Sequence, residues 1–338
     1  MAHMQINNSD YEALTYPRIN LQYFTLDENG LAKSCPLDNG RHSQACRTNL
    51  GSLELLPLEL ISQVLSQLDL VTLAAFRRLN ARSMQIVDSM PSYRTIIREC
   101  PGVLRGLYSI QYGSQVLVEQ LWHTLGTANC QDCGDFGGYI YLLTCRRVCF
   151  RCFWSGSQYY PLRVSEASKQ YGVSKRSLGD LPAMRSIPGQ YSMAEKYRLT
   201  PTTLLDRETV RLRAIAIHGS EDSMLSHVKQ KTTTLDATYQ GKLILARSGP
   251  TAVRPRRPSP AEPTNGPNGD PRRYMAIIKA PHIDHKTLYV EWGRYCKGCE
   301  RSYRNHMWRR RYVFDTFVEH LRELGDIVDG VHKAPPTV

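Results

Sequence analysis

Between residues 50 and 80 the apolar positions recur three or four apart. Leu53, Leu56, Leu60, Ile61, Val64, Leu65, Leu68, Leu73, Phe76 and Leu79 follow that rhythm, with polar residues between them. This is the period of amphipathic helices. Pro57 suits a first helical turn, where its missing N–H costs nothing. Asp69 is placed to cap a helix over 71–79, and Pro91 and Pro101 punctuate the residues beyond it. The segment 50–100 therefore reads as three short helices, too small to bury all their apolar surface alone.

The rhythm changes several times downstream. Residues 103–125 predict one or two more helices. Residues 139–143 read as a strand, 161–247 as short strands and helices with the best helical signal at 204–218, and 274–279 and 287–292 as two strands. Residues 308–324 read as a closing helix. Two stretches lack any period. The first, 1–48, is polar and predicts a disordered N-terminal segment, in which Met1-Ala2-His3-Met4 resembles a cloning remnant. The second, 248–273, holds seven of the 19 prolines and five arginines, and predicts a disordered Pro/Arg-rich loop. Residues 326–338 read as a tail. The fold class expected is α+β: a small helical domain over 50–100, then a mixed α/β domain over 103–325.

Composition narrows the function. The 338 residues carry 43 Lys+Arg against 31 Asp+Glu, a balance of +12. No stretch approaches the ~20 apolar residues that span a bilayer, so no membrane association is expected. No secretory signal is visible, so an intracellular chain, cytoplasmic or nuclear, is expected. In such a compartment clustered cysteines are metal ligands rather than disulfides.

Ten cysteines are present, five of them within residues 130–152. Cys130-x2-Cys133 and Cys149-x2-Cys152 stand fifteen residues apart, a spacing that predicts a four-thiolate zinc site. Each Cys-x-x-Cys turn puts two sulfurs on one side of a tight loop, and Gly134, Gly137 and Gly138 supply backbone freedom beside it. Four cysteines leave no open position, so the ion's expected role is structural. Cys145 is an alternative ligand. Cys296-x2-Cys299 predicts half of a second zinc site, which needs two further ligands. His320, on the predicted helix, is favoured over His306, with His282 and His285 also near. Cys35 and Cys46 read as free thiols.

Leu56-Pro57-Leu58-Glu59-Leu60-Ile61, the Val64-Leu65 pair and Asp69-Leu70 resemble an F-box, and the continuation through Leu73, Phe76 and Leu79 agrees. The end of the segment departs: Ser83-Met84 stands near the usual Arg-x-Trp. Farther on, the stretches around Cys130 to Gly138, Thr144 to Cys152, Ile187 to Tyr191 and Gly293 to Glu300 are similar to a family of fungal F-box proteins, although no cysteine follows His320 where that family often has one. The resemblance implies that Leu56, Pro57, Leu60, Ile61, Val64 and Leu65 contact the Skp adaptor, and through it a cullin, with Glu59 at the rim. It also implies a non-catalytic receptor subunit of an SCF-type ubiquitin ligase whose C-terminal domain binds a protein substrate.

The sequence contains no P-loop, dinucleotide fingerprint or nucleophile elbow. Arg301, Arg304, Arg309, Arg310 and Arg311, interleaved with Tyr303, Trp308 and Tyr312, support two other readings. One is a nucleic-acid surface, the other a site for an acidic or phosphorylated protein segment. An F-box protein with a role outside ubiquitination is a further alternative.

Overall fold

A computed structural model describes residues 6–19, 22–37, 49–193, 197–247, 255–256 and 270–333. A helical region covers residues 50–126. Small antiparallel sheets and helices follow, so the chain is α+β.

The helices form where the sequence supplies starts and stops. Pro57 precedes the helix Leu58–Ser66, and its carbonyl accepts from Ile61 N at 3.1 Å. Asp69 caps Leu70–Arg77 by accepting from Val71 N and Thr72 N, both at 2.9 Å. Asn80 caps Ala81–Ser89 through Ser83 N at 2.8 Å. Pro91 and Pro101 each open a helix, Pro91–Glu99 and Pro101–Ser109. The helix Val118–Gly126 follows. Arg77 grips Asp88 with two hydrogen bonds of 2.7 and 2.9 Å, tying the second helix to the third.

Among the described residues, three three-stranded sheets and two two-stranded ones, His282–Ile283 with Val290–Glu291 and Ile327–Val328 with Val331–His332, carry the rest. In the first, Tyr139–Tyr141 lies between Arg146–Val148 and Ile277–Lys279, with Ile140 opposite Arg147 and Ile278. In the second, Thr203–Leu205 lies between Leu162–Arg163 and Ala183–Arg185, against the helix Arg207–His218. In the third, Arg294–Cys296 pairs with Thr15–Tyr16 and with Arg311–Tyr312, beside the helix Phe314–Leu324. One hydrophobic core runs from Leu65, Leu73 and Val87 through Leu107 and Leu125 to Ile140 and Ile278. The expected boundary near residue 100 is thus a change of chain pattern and not a break in packing. Smaller cores lie around Tyr160, Leu162 and Val210, and around Tyr11, Tyr312 and Phe317.

Several expectations are corrected. Residues 1–48 are not a disordered segment throughout. Asn8–Leu14 is a helix with a reciprocal capping box. Ile19, Tyr23, Leu26 and Leu31 are buried in the main core, and Lys279 pairs with Asp27 and Glu28 at 3.1 and 2.9 Å. These contacts reach across more than 250 residues, so no local period announces them. Residues 1–4 and Cys46 lie outside the described residues.

The expected tail contains a hairpin, Ile327–Val328 with Val331–His332. Of the Pro/Arg-rich segment, 248–254 and 257–269 lie outside the described residues. Its end is packed: Arg272 pairs with Asp270 and Glu166, and Arg273 is fully buried, donating to the Phe153 and Gly156 carbonyls. The closing helix begins at Phe314, not 308, and the residues expected to start a helix at 204 belong to a strand. A 27-residue helix, Glu221–Arg247, was not foreseen, because only Met224 on it is buried and its apolar residues hold no steady stripe.

Hydrogen bonds from the Thr72 hydroxyl and the Thr72 and Val71 amides outweigh partial desolvation and hold the Asp69 carboxyl below its ordinary value. Replacing it (Asp69→Ala) should cost about 1 kcal/mol. Since the folded-state value is depressed, this contribution is complete above the ordinary carboxylate range and fades as pH falls through it. Thermal unfolding of both proteins at pH 7 and pH 3 checks this; an equal gap at the two pH values would refute it.

Candidate metal centres and helical face

The two Cys-x-x-Cys turns of the first cluster are brought together by one β-hairpin. Cys130 donates its amide to Asp135 O at 2.6 Å and accepts from Gly134 N at 2.9 Å, closing the first turn. Gly134 takes φ +79°, which a side chain would strain. Gly137 and Gly138 do not supply positive φ as expected. They are small because Arg147 and Arg311 pass within 2.4 and 2.9 Å of where their Cβ atoms would lie. The strands Tyr139–Tyr141 and Arg146–Val148 then carry the chain back to Cys149. Cys149 opens the helix Phe150–Ser155, its sulfur 3.5 Å from Cys152 N.

Cys130, Cys133, Cys149 and Cys152 present sulfurs that all lie within 4.8 Å of one another. Cys133 and Cys149 are 3.6 Å apart. A disulfide would need ~2.05 Å. A tetrahedral ion with bonds of ~2.3 Å sets sulfurs about 3.8 Å apart, which this cluster approaches. Cys130 and Cys149 are buried, Cys152 is half-buried and Cys133 is exposed. Hydrogen bonding from the Cys149 thiol pulls Cys130 down to about 5, and the same contact pushes Cys149 up. Four crowded sulfurs cannot all carry charge unaided. A divalent cation removes that repulsion and admits four thiolates.

The second cluster is complete, and its fourth member is one that cysteine spacing does not announce. Cys296 ends a strand, Cys299 ends the 3₁₀ turn Lys297–Cys299, and His320 lies on the helix Phe314–Leu324. His332, absent from the expected ligands, comes from the C-terminal hairpin. Its Nε2 is 3.3 Å from Cys296 Sγ and 3.4 Å from Cys299 Sγ, and His320 Nε2 is 3.4 Å from Cys299 Sγ. Sulfur and nitrogen on a tetrahedral zinc stand about 3.5 Å apart. His332 Nδ1 bonds Gly325 O at 2.9 Å, which leaves Nε2 bare towards the sulfurs. His320 is 2% exposed, and its Nδ1 finds no partner among the described residues. A Cβ on Gly298 would meet the His332 ring at 2.8 Å, so position 298 favours glycine.

A signal for His332 was present. Asp329-Gly330 sits between Ile327-Val328 and Val331-His332, and Asp-Gly between alternating residues is a strong hairpin signature. The turn has φ of 53° and 75° at Asp329 and Gly330.

The other candidates fall outside both clusters. Cys145 is buried at φ +52°, its sulfur 3.6 Å from Thr124 Oγ1, and burial pushes its thiol up to about 11. It is no alternative ligand here. His282 and His285 bond the Gly126 and Trp122 carbonyls, and His306 packs on Trp154. The arginine-rich stretch is largely internal: Arg310 pairs with Asp135 at 2.7 Å, Arg311 donates to Tyr295 Oη at 2.8 Å, and Tyr312 is buried. That consumes three members of the expected nucleic-acid surface.

On the helical region, Leu56, Leu60 and Val64 remain 41%, 45% and 57% exposed, and Pro57, Leu58 and Glu59 are exposed beside them. Ile61 and Leu65, expected at a partner contact, are buried in the core instead. They occupy the inward side of the same helix. No helix among the described residues is long and apolar enough to cross a membrane.

Comparison with protein families matches the F-box domain to residues 53–95. No curated protein and no solved structure matches the chain.

The geometry predicts uptake of two divalent ions per chain at neutral pH. Cys130→Ser should remove one ion, His332→Ala the other, and Cys145→Ala neither. Acidification should release both, since the thiolates must be deprotonated to bind. Metal per chain by elemental analysis after dialysis decides this; a Cys145→Ala protein that loses an ion would overturn the assignment.

Proposed function

We propose that the chain is the substrate-recruiting, non-catalytic F-box subunit of an SCF-type ubiquitin ligase. The observation that carries this is the outward row of apolar side chains, Leu56, Leu58, Leu60 and Val64, inside the segment matched as an F-box. An uncovered apolar row on a short helix marks a partner site. Pro57 and Glu59 flank it. A helical Skp adaptor covers the row and links the chain to a cullin, in an interface of roughly 1,600 Å² in total. Ile61 and Leu65 act behind it by holding the helix on the core. Such a subunit works in the cytoplasm or nucleus, where the ligase does.

Zinc is the ion that this donor chemistry suits, with four thiolates at one site and two thiolates with two imidazoles at the other. Bound there it supplies structural cross-links, because protein ligands occupy every tetrahedral position. The first site ties the turn at Cys130 and Cys133 to the start of the helix Phe150–Ser155, closing the ends of the hairpin 139–148, and the second clamps the C-terminal hairpin onto the last helix. The domain so stiffened presents a protein substrate at a fixed distance from the adaptor. Its contribution to ubiquitin transfer is proximity, which raises the effective concentration of a substrate lysine.

Binding to a purified Skp adaptor tests the reading. The Leu60→Asp, Val64→Asp double variant should lose affinity by about a hundredfold or more, since both residues are exposed and charge replaces apolar contact. Far-UV circular dichroism and metal content should match the native chain. A folded, metal-loaded native chain that does not bind the adaptor would sink the proposal.

A further inference from the structure

Beside the first cysteine cluster, the helix Phe150–Ser155 meets the 3₁₀ turn Arg304–Arg309 and builds a continuous aromatic and cationic patch. Trp154, half-buried, lies 4.2 Å from the His306 ring, and Phe150 is 5.6 Å from the same ring. The Arg309 guanidinium stands 4.4 Å over Phe150 and 4.3 Å over Trp308. Tyr303, 75% exposed, sets its ring at an edge to Trp308 at 6.1 Å. Arg151 is exposed on the helix.

Three features mark this patch as more than packing. First, no carboxylate pairs with Arg151 or Arg309 among the described residues, and Arg309 Nη1 is buried without an acceptor. The nearby acid, Asp135, is already held by Arg310. Burial, with the positive charges of Arg309 and Arg151, keeps the His306 imidazole below its ordinary value. Second, His306 holds φ +55°, a left-handed conformation that a non-glycine residue adopts at a cost and that gathers at functional sites. Third, Trp, Tyr and Arg are the residues that most often carry binding energy at protein interfaces.

We propose that this patch receives an acidic segment of the protein that the chain recruits. The inference rests on the receptor reading above and names the chemistry of its substrate. Arg309, held over the Phe150, Trp308 and Tyr23 rings with its Nη1 buried, gives the patch a fixed positive charge. Arg151 adds a second charge, and Tyr303 and Trp308 cover the apolar neighbours of the acidic side chain. Single-stranded nucleic acid fits less well, because bases need open aromatic faces and Arg309 already occupies one of Trp308.

The test pans a displayed library of random peptides on the full metal-loaded chain, alongside its binding to a Skp adaptor. The native chain should enrich sequences rich in Asp and Glu. The exposed-site variants Arg151→Glu and Tyr303→Ala should bind the selected peptides at least about tenfold more weakly while keeping adaptor affinity and metal content. A native chain that binds the adaptor but enriches no acidic sequence overturns the inference alone, as does equal binding by Arg151→Glu. A single-stranded oligonucleotide whose binding is lost in the same variants overturns it in favour of nucleic acid. A native chain that neither binds the adaptor nor enriches acidic peptides overturns both readings.

Discussion

The fold turns on one buried cation. Arg147 has no exposure, and its guanidinium donates to the carbonyls of Thr124, Leu125, Gly137, Ala280 and Pro281, at 3.0, 3.4, 2.5, 3.4 and 2.6 Å. Burial lowers its pKa to about 10, so it remains charged at neutral pH. Taking a charge out of water is expensive unless its donors are satisfied. Among the described residues its hydrogen-bond partners are all backbone carbonyls. Three distant pieces of chain are thereby held together: the end of the helix Val118–Gly126, the loop of the first cysteine turn, and the residues after the strand Ile277–Lys279. No apolar side chain of that volume could answer five carbonyls at once, and each left unpaired in the interior would cost free energy.

The cysteine clusters build on that anchor. Arg147 sits on the strand that leads to Cys149, and its own carbonyl accepts from Gln131 N at 3.0 Å, inside the first turn. Core, cation and first cluster thus share one set of strands. The second cluster works at the opposite end of the chain. It draws on a strand that pairs with Thr15–Tyr16, on the last helix and on the final hairpin. An ion there would join the elements that hydrophobic contact holds least, since its surrounding core is the small one around Tyr11 and Phe317.

Under the receptor reading proposed above, two separate surfaces matter. The helical region turns one side of Leu58–Ser66 inward, through Ile61 and Leu65, and leaves the other uncovered. Because the main core runs without interruption from those helices into the first sheet, a partner seated on the helical face and one seated near Phe150–Ser155 would be joined by rigid packing rather than by a linker. A fixed separation between two such surfaces is what proximity-driven transfer requires.

Periodicity and spacing determined much of this. The leucine rhythm gave the first helices, with Asp69 as the cap of the second, although residues 50–100 hold four α-helices where three were expected. The Cys-x-x-Cys turns gave the first cluster, and an amphipathic helix pointed to His320. These are signals carried by neighbours a few residues apart. The tertiary structure alone decided which side of Leu58–Ser66 faces out, because Ile61 and Leu65 share its apolar pattern with Leu60 and Val64. It alone seated Ile19, Tyr23 and Leu26 in a core that includes Tyr295, 272 positions from Tyr23, set Arg147 among its carbonyls, and left Cys145 outside both clusters. It brought His332 to Cys296 from a segment that reads as a tail. In each case the deciding contact lies far off in sequence, and local pattern records a residue's chemistry but not the partner that folding brings to it.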